Sequence, residues 1–528
     1  MDEVVATARR HALGDIPRRS AARFGTKLAI VDGDTRLTFA ELDDQVERLA
    51  AGIAANGLRP GDRLVLLSRN CWQFGALAFA AARVGVVLVP VNYRLGADEV
   101  AYILRDCQAA GFICEDGFLP VANGALESAG LQGAVRAFIP LAPDSGRPGA
   151  AASGWDDLDV WFLPEGTSAP SVDVGDDDLI RIMYTSGTES RPKGAMLSSR
   201  SLMWQYVSCI VTGGMENDDI EVHAMPLYHI AQLDNFLITD VYIGASSIIV
   251  RSPDPVELME VIERERVTNI FCPPTTWISL LRHPRFDDSD LSSLRKGYYG
   301  ASPMPLEVFA EMGRRLPRLR FWNFYGQTEL ASLATCLGPE DQVSHPGSAG
   351  RPALNVDTRV VDERNEGVAP GVVGEIVHRS PQIALGYYRN EAATAAAFAG
   401  GWFHSGDLGF FDEDGYLYVV DRKKDMIKSG GENVATREVE EVIYAHPGVA
   451  EAAVFGMPHP TWIEAVTAVV VLRAGVSIAP EDVIAHCRAR LAGYKTPKSV
   501  FIVDELPKNP SGKILKRDLR ARYAESTS

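Results

Sequence analysis

The sequence predicts an α/β protein. A large N-terminal domain of layered α/β sheets, carrying a β-rich subdomain, precedes a small α+β C-terminal domain. Three observations predict this. The chain has 528 residues, more than one ordinary core holds, since domains typically run ~50–250 residues. Its first third alternates helical and strand periodicity, the order of a parallel sheet covered on both faces. Past the charged run Asp421-Arg422-Lys423-Lys424-Asp425 a self-contained helix–strand pattern resumes, which divides the chain into 1–421 and 422–528.

Thr38-Phe39-Ala40-Glu41 fits a capping box, in which the hydroxyl caps the helix and the glutamate reaches back. Leu42, Val46, Leu49, Ala50 and Ile53 then recur at helical spacing, and Gly57 ends the run. Arg63 to Ser68 follows as a strand, and a second helix precedes the β-rich run Val86 to Val91. Residues 141–176 are rich in Pro, Gly, Ser and Asp and predict a long surface connection. Strands are expected at Leu179 to Tyr184, Ser246 to Val250 and Val267 to Phe271. Short strands and glycines between Val356 and Val377 predict the β-rich subdomain. The C-terminal unit reads as a helix (Arg437 to Ala445), two strands (Glu451 to Phe455, Val466 to Leu472), a helix (Pro480 to Leu491) and a strand (Val500 to Val503).

At 46% hydrophobic and 23% charged residues the composition is that of a soluble globular protein. A net charge of −17 argues against nucleic acid or an acidic membrane surface as the partner. The seven cysteines form no Cys-x-x-Cys pair and the ten histidines no ligand spacing, which disfavours a zinc site or disulfide framework. The longest apolar stretch, Gly75 to Val91, is broken by Arg83 and is too short for an integral membrane span. No signal-peptide core opens the chain, and Ser526-Thr527-Ser528 is not a peroxisomal signal, so the cytoplasm is the expected compartment. Oligomeric state is open, a homodimer included.

The richest motif is Tyr184-Thr185-Ser186-Gly187-Thr188-Glu189-Ser190-Arg191-Pro192-Lys193-Gly194. Small hydroxyl residues and glycines let many backbone N–H groups face one anion, and lysine adds charge suited to phosphate. It is not a Walker loop, because no Ser or Thr follows the lysine. A second cluster is Asn323-Phe324-Tyr325-Gly326-Gln327-Thr328-Glu329. An aromatic face stacks on a purine and a carboxylate suits magnesium, although a core strand ending in a turn reads the same way. Trp402-Phe403-His404-Ser405-Gly406-Asp407 offers a carboxylate for ribose hydroxyls or a plain turn residue. Pro510-Ser511-Gly512-Lys513-Ile514 sets a lysine on a glycine-flanked loop.

In this order, from Leu37-Thr38-Phe39-Ala40-Glu41-Leu42 to Arg517, these motifs resemble the adenylate-forming superfamily of acyl-CoA synthetases, luciferases and peptide-synthetase adenylation domains. The resemblance implies ATP, magnesium and coenzyme A, and an AMP-forming acid–thiol ligase whose C-terminal domain swings between two half reactions. It implies a phosphate loop at Thr185, Ser186, Gly187, Thr188 and Lys193, with Thr185 also catalytic. Gly300, Ala301, Ser302, Asn323, Phe324, Tyr325 and Gly326 would form the adenine slot, with Tyr325 stacking. Thr328 would contact the α-phosphate, Glu329 would hold magnesium, and Asp407 and Arg422 would bind the ribose. Lys424 falls at the hinge and Lys513 at the adenylation lysine. Ser429, Gly430 and Gly431 fall in the segment lining the thiol tunnel, and Trp462 where the CoA nucleotide is met. The chain departs from the family at Glu189-Ser190, where Thr-Gly is usual. A carboxylate there repels polyphosphate unless it turns outward or is offset by Arg191 or Lys193.

Met225-Pro226-Leu227-Tyr228-His229 resembles the segment whose histidine, here His229, borders the acyl pocket. Asp234 is out of register with the aspartate of amino-acid-activating members. Ile230, Ala231, Leu233, Phe236, Leu237, Phe271 and Trp277 are apolar. The expected substrate is therefore a hydrophobic carboxylic acid, either a medium or long fatty acid or a bulky ring-bearing one. Rival readings are an acyl-AMP ligase serving a carrier protein and a non-catalytic nucleotide-binding scaffold.

Overall fold

The computed structural model describes residue 5 and residues 8–141, 153–185, 192–302, 304–429, 431–509 and 512–524. Helix Phe39–Ala55 begins as expected: the Thr38 hydroxyl accepts from Glu41 N–H while the glutamate accepts from Thr38 N–H. Its apolar stripe, Leu42, Val46, Leu49, Ala50 and Ile53, is fully buried. Helix Trp72–Arg83 is apolar all round from Phe74 to Ala82 and buried all round, as a helix sandwiched between layers must be.

Two large sheets form the N-terminal unit. One runs edge to edge through Gly386–Tyr387, Lys193–Ser198, Leu179–Thr185, Val87–Pro90, Arg63–Leu67, Ala109–Glu115, Val135–Ile139 and Asp156–Asp157, with a parallel centre. The other runs through Arg351–Pro352, Ser332–Leu337, Arg320–Gln327, Lys296–Gly300, Asn269–Phe271, Ile220–His223, Ser246–Ile249, Leu28–Asp32 and Thr35–Thr38. Its central strands are also parallel, so ligand-binding loops gather beyond their carboxyl ends. The β-rich subdomain is a four-stranded antiparallel sheet of Asp357–Val361, Gly374–Arg379, Phe403–Phe411 and Leu417–Arg422, and reaches well past the predicted Val377.

Arg422 ends that sheet, and a turn closed by Asp425 N–H to Arg422 O (2.9 Å) leads to the next strand, Ile427–Ser429. From there a second core forms around the long hairpin Val449–His459 and Ile463–Leu472, covered by helices Thr436–Tyr444 and Pro480–Arg488. Ser499–Val503 adds parallel to the hairpin. The short strands Ile427–Ser429 and Glu432–Val434 and the last helix Lys516–Tyr523 carry too few periodic residues to have been read from sequence.

Residues 141–176 are not merely a surface connection. Strand Asp156–Asp157 extends the sheet, and Trp155, Leu158 and Trp161 are buried. Gly52 lets the segment approach: a Cβ there would sit 1.9 Å from Trp161 O. Proline and glycine content hid three large apolar anchors. Among the described residues no helix is long and apolar enough to cross a membrane.

Candidate active site

The cleft is built where strand ends of three sheets converge. Thr185 and Lys193 are opposite residues of an antiparallel pair, so they hold the two ends of the phosphate-loop sequence together. Ser186, Gly187, Thr188, Glu189, Ser190 and Arg191 lie outside the described residues. The Thr185 hydroxyl donates to Lys193 O at 3.4 Å, and Lys193 Nζ lies 5.1 Å from the centre of the Tyr387 ring.

Tyr387 completes a contact the sequence did not reveal: its hydroxyl donates to Glu329 Oε1 at 2.7 Å. Glu329 follows Thr328 in a short 3-10 turn at the end of strand Arg320–Gln327. One carboxylate lone pair is thus used and the others are left, a hard oxygen donor beside the phosphate loop's lysine. That suits magnesium, which is commonly held by one or two carboxylates with phosphate oxygens and water.

Side chains alternate along Arg320–Gln327. Phe324 therefore faces the core, stacked 5.8 Å from Phe236, while Tyr325 faces the subdomain. Of the residues expected in an adenine slot, Phe324 thus offers backbone rather than ring, and Asn323 Nδ2 is committed to Ser348 O at 2.9 Å. Gly300 packs against this backbone so closely that a Cβ would lie 2.3 Å from Phe324 O; the next residue, Ala301, has φ 64° and turns the chain toward Ser302. Gly326 is equally constrained, 1.7 Å being all a Cβ would have to Ser332 O.

Asp407 and Arg422 are cross-strand partners, and Arg422 Nε lies 3.2 Å from Asp407 Oδ1. Tyr325 Oη (2.7 Å) and Gln327 Nε2 (3.0 Å) both donate to Asp407 Oδ2. An ionised carboxylate accepts about four bonds, so lone-pair capacity for a ribose hydroxyl remains on Oδ1. The same bonds pin the Tyr325 ring. Burial, then the Asp407 charge, hold that phenol well above its ordinary pKa, so it stays a donor. Gln327, like Tyr387, went unread in the sequence, though it lies inside the motif that holds Tyr325 and Glu329.

Lys513 comes to this place from the far end of the chain. Its loop docks on the first turn of helix Pro274–Arg282, which follows strand Asn269–Phe271: Thr275 Oγ1 donates to Gly512 O at 3.1 Å. Gly512 has φ +80°, and a Cβ would sit 2.5 Å from Thr275 Oγ1. Lys513 N–H donates to Asn509 Oδ1 at 2.8 Å. Enclosure of the ammonium, then the repelling charge of Arg422, bring its pKa down to about 8; Asp407 pulls the other way and Lys424 adds repulsion. His229, at the head of the short helix Ile230–Gln232, is brought down to about 4 by burial and then by Lys513. It is a neutral wall of the cleft at physiological pH. Lys513, Arg422, Asp407, Lys424 and His229, spread over more than half the sequence, are thereby assembled at one site.

Below His229 lies an apolar cleft of about 230 Å³ including its open mouth, lined by Met225, Pro226, Ala231, Gln232, Phe271 and Ala301. Ile230, Leu233 and Leu237 pack in the core instead, and Trp277 packs edge-on against Phe321. Asp234 is fully buried, bonded by Arg181 Nη1 (2.5 Å to Oδ2) and Tyr206 Oη (2.8 Å), which removes it as an anchor for a substrate ammonium. Of the C-terminal candidates, Ser429 is buried and Gly431 has φ +90° in the hairpin turn, and Gly430 lies outside the described residues. The Trp462 ring carries Lys498 Nζ 5.0 Å from its centre.

These features are those of an acid-activating, nucleotide-using ligase. The family model described as AMP-binding enzyme matches residues 17–388, and that of the AMP-binding enzyme C-terminal domain matches residues 438–513. The chain belongs to this family of adenylate-forming enzymes. It is 40% identical to a feruloyl-CoA synthase of Amycolatopsis sp, over 98% of this chain and 100% of that one. It is 34% identical to an indoleacetate–CoA ligase of Aromatoleum aromaticum, over 98% of each. The crystal structure of the anthranilate CoA ligase AuaEII in complex with anthranoyl-AMP superposes with a TM-score of 0.90 at 25% identity, covering 99% of both chains.

Proposed function

We propose that the protein joins a ring-bearing hydrophobic carboxylic acid to coenzyme A through an acyl-adenylate. A carboxylate oxygen attacks the α-phosphorus of ATP, forming the mixed anhydride and expelling pyrophosphate; the CoA thiol then attacks the acyl carbon and AMP leaves. Both first reactants are anions, so the barrier is one of alignment and charge. Lys513 supplies a cation between carboxylate and α-phosphate. Thr185, Thr328 and Lys193 hold the polyphosphate, and Ser186, Gly187 and Thr188 extend that cradle by family resemblance. Tyr325 stacks on adenine, with the Gly300-Ala301-Ser302 turn and Gly326 shaping the slot, and Asp407 with Arg422 holds ribose. Glu329 would hold magnesium, which when bound neutralises phosphate charge. Neutral His229 closes the acyl side without opposing the ammonium.

For the second half reaction Lys513 withdraws as the C-terminal domain turns about Lys424, and Ser429, Gly430 and Gly431 come to line the thiol's path with Trp462 toward the CoA nucleotide. The observation that carries the reading is the docking of the Lys513 loop on Thr275, which brings the ammonium within electrostatic reach of Arg422, Asp407 and His229. The apolar lining of the cleft by Met225, Pro226, Ala231 and Phe271 suits a hydrophobic acid. The relatives that activate ferulate, indoleacetate and anthranilate by name support a ring-bearing one. A pyrophosphate-release screen across fatty, aromatic and polycyclic acids, with and without CoA, tests it. Aromatic acids are expected to lead, with AMP and thioester appearing only with CoA; best turnover on long fatty acids contradicts the substrate class.

A further inference from the structure

Beneath the acyl cleft the interior turns polar. Glu221, His223 and Met225 share one face of strand Ile220–His223 and its extension; Met225 lines the cleft and His223 stands ~7 Å below it. On the neighbouring strand Phe271 lines the cleft and Asn269, paired with Glu221, lies under it. Ser247 pairs with Glu221 from the other side. Asp240 comes from helix Ile238–Ile243. All five polar residues are buried, none more than 1% exposed. Among the described residues both Glu221 carboxylate oxygens, Ser247 Oγ, both Asn269 amide atoms, His223 Nε2 and both Asp240 carboxylate oxygens have no hydrogen-bond partner. Native interiors seldom leave such groups unmatched; ligand or water ordinarily meets them.

One chain of contacts connects this layer to the cleft. Met225 N–H donates to Gln232 Oε1 at 3.1 Å, which fixes the amide's orientation. Gln232 Nε2 therefore donates to His223 Nδ1, 2.8 Å away. An Nδ1 that accepts leaves the ring proton on Nε2, which lies 3.2 Å from Asp240 Oδ2 outside hydrogen-bond geometry. Glu221, His223 and Asp240 bring ligand atoms within 4.8 Å of one another, but a protonated Nε2 has no lone pair for a cation. Gln232 itself, buried, lines the cleft one helical turn, roughly 5 Å, past His229, and its Nε2 carries a second N–H beyond the one given to His223.

We infer that Gln232 is a specificity-determining residue, whose remaining amide N–H receives an oxygen at the distal end of the acid: a ring hydroxyl, methoxy or keto oxygen. The inference rests on the acyl-cleft reading above and narrows it from ring-bearing acids to oxygenated ones. His223 is a positioning residue that holds the amide. A site built to hydrogen-bond a substituent discriminates against the analogue lacking it far more strongly than an apolar pocket discriminates by size.

The test measures kcat/KM for pyrophosphate release with 4-hydroxyphenylpropenoate and with unsubstituted phenylpropenoate. The wild-type enzyme is expected to favour the hydroxylated acid by roughly 10–100-fold. In Gln232→Leu that ratio is expected to collapse to within about 3-fold. Should that variant not fold, Gln232→Glu keeps the acceptor for Met225 N–H, loses the donor, and is read by the same ratio. Equal kcat/KM for the two acids in the wild type, or a preference that survives both substitutions, overturns this inference alone. Pyrophosphate release with no acid at all overturns acid activation along with it.

Discussion

At the residue scale the account turns on two charges. Lys513 is expected to act as a cation, and its pKa lies near about 8 because its ammonium is enclosed and faces Arg422. The protonated form is present below that value and is lost above it. Thus kcat/KM for pyrophosphate release, which reports the free enzyme, is expected to fall as pH rises through about 8. In Lys513→Arg, whose guanidinium stays charged, that limb should vanish from whatever activity remains; an unchanged limb assigns the titration elsewhere. His229, neutral above about 4, contributes no acid limb near neutrality. Asp407→Ala removes the acceptor of Tyr325, Gln327 and Arg422 together, and calorimetry should find ATP bound at least roughly 10-fold more weakly. Unchanged affinity would refute the ribose assignment. Asp407, Tyr325, Glu329 and Lys513 stand out in the sequence because each sits in a short motif whose residue types match one chemistry, and folding brings Tyr325 onto Asp407. Gln327, Tyr387 and Gln232 do not stand out, because an amide or phenol acquires a role only from the partner folding sets beside it.

At the scale of elements, periodicity served well where one face is buried. Helix Phe39–Ala55 and the C-terminal helices and strands lie within a few residues of expectation. It failed where burial is carried by isolated anchors, as at Trp155 and Trp161, or where a strand is two or three residues long. Alternation along Arg320–Gln327 also separates Tyr325 from Phe324, a distinction a contiguous motif conceals. The loop bearing Lys513 is an element whose docking rests on Gly512, with φ +80° and Thr275 Oγ1 at 2.5 Å from any Cβ. Gly512→Val is both strained and obstructed. It should slow adenylation roughly 10-fold or more, about 1.4 kcal/mol, while thioester formation from supplied acyl-adenylate changes little. Equal slowing of both steps would mean that the loop serves fold rather than docking.

For the whole molecule, the pairing of distant strands was beyond sequence reading, since periodicity names a strand's faces but not its neighbours. The two large sheets are tied across their interface by Arg181, on strand Leu179–Thr185, and Asp234, in the helical segment packed on the other sheet. Both are buried, at 1% and 0% side-chain exposure. Arg181→Met leaves an uncompensated carboxylate and should cost about 3–5 kcal/mol, seen as a lowered Tm; an unchanged Tm would show the pair to be dispensable. The larger union is that of the C-terminal loop with the N-terminal unit, which in the proposed mechanism places a cation where two anions must meet. Its most direct test is to separate the half reactions in Lys513→Ala. Acid, ATP and magnesium should yield no pyrophosphate, while chemically made acyl-adenylate and CoA should yield thioester at close to the wild-type rate. Full pyrophosphate release by the variant, or equal loss of both steps, would contradict the account.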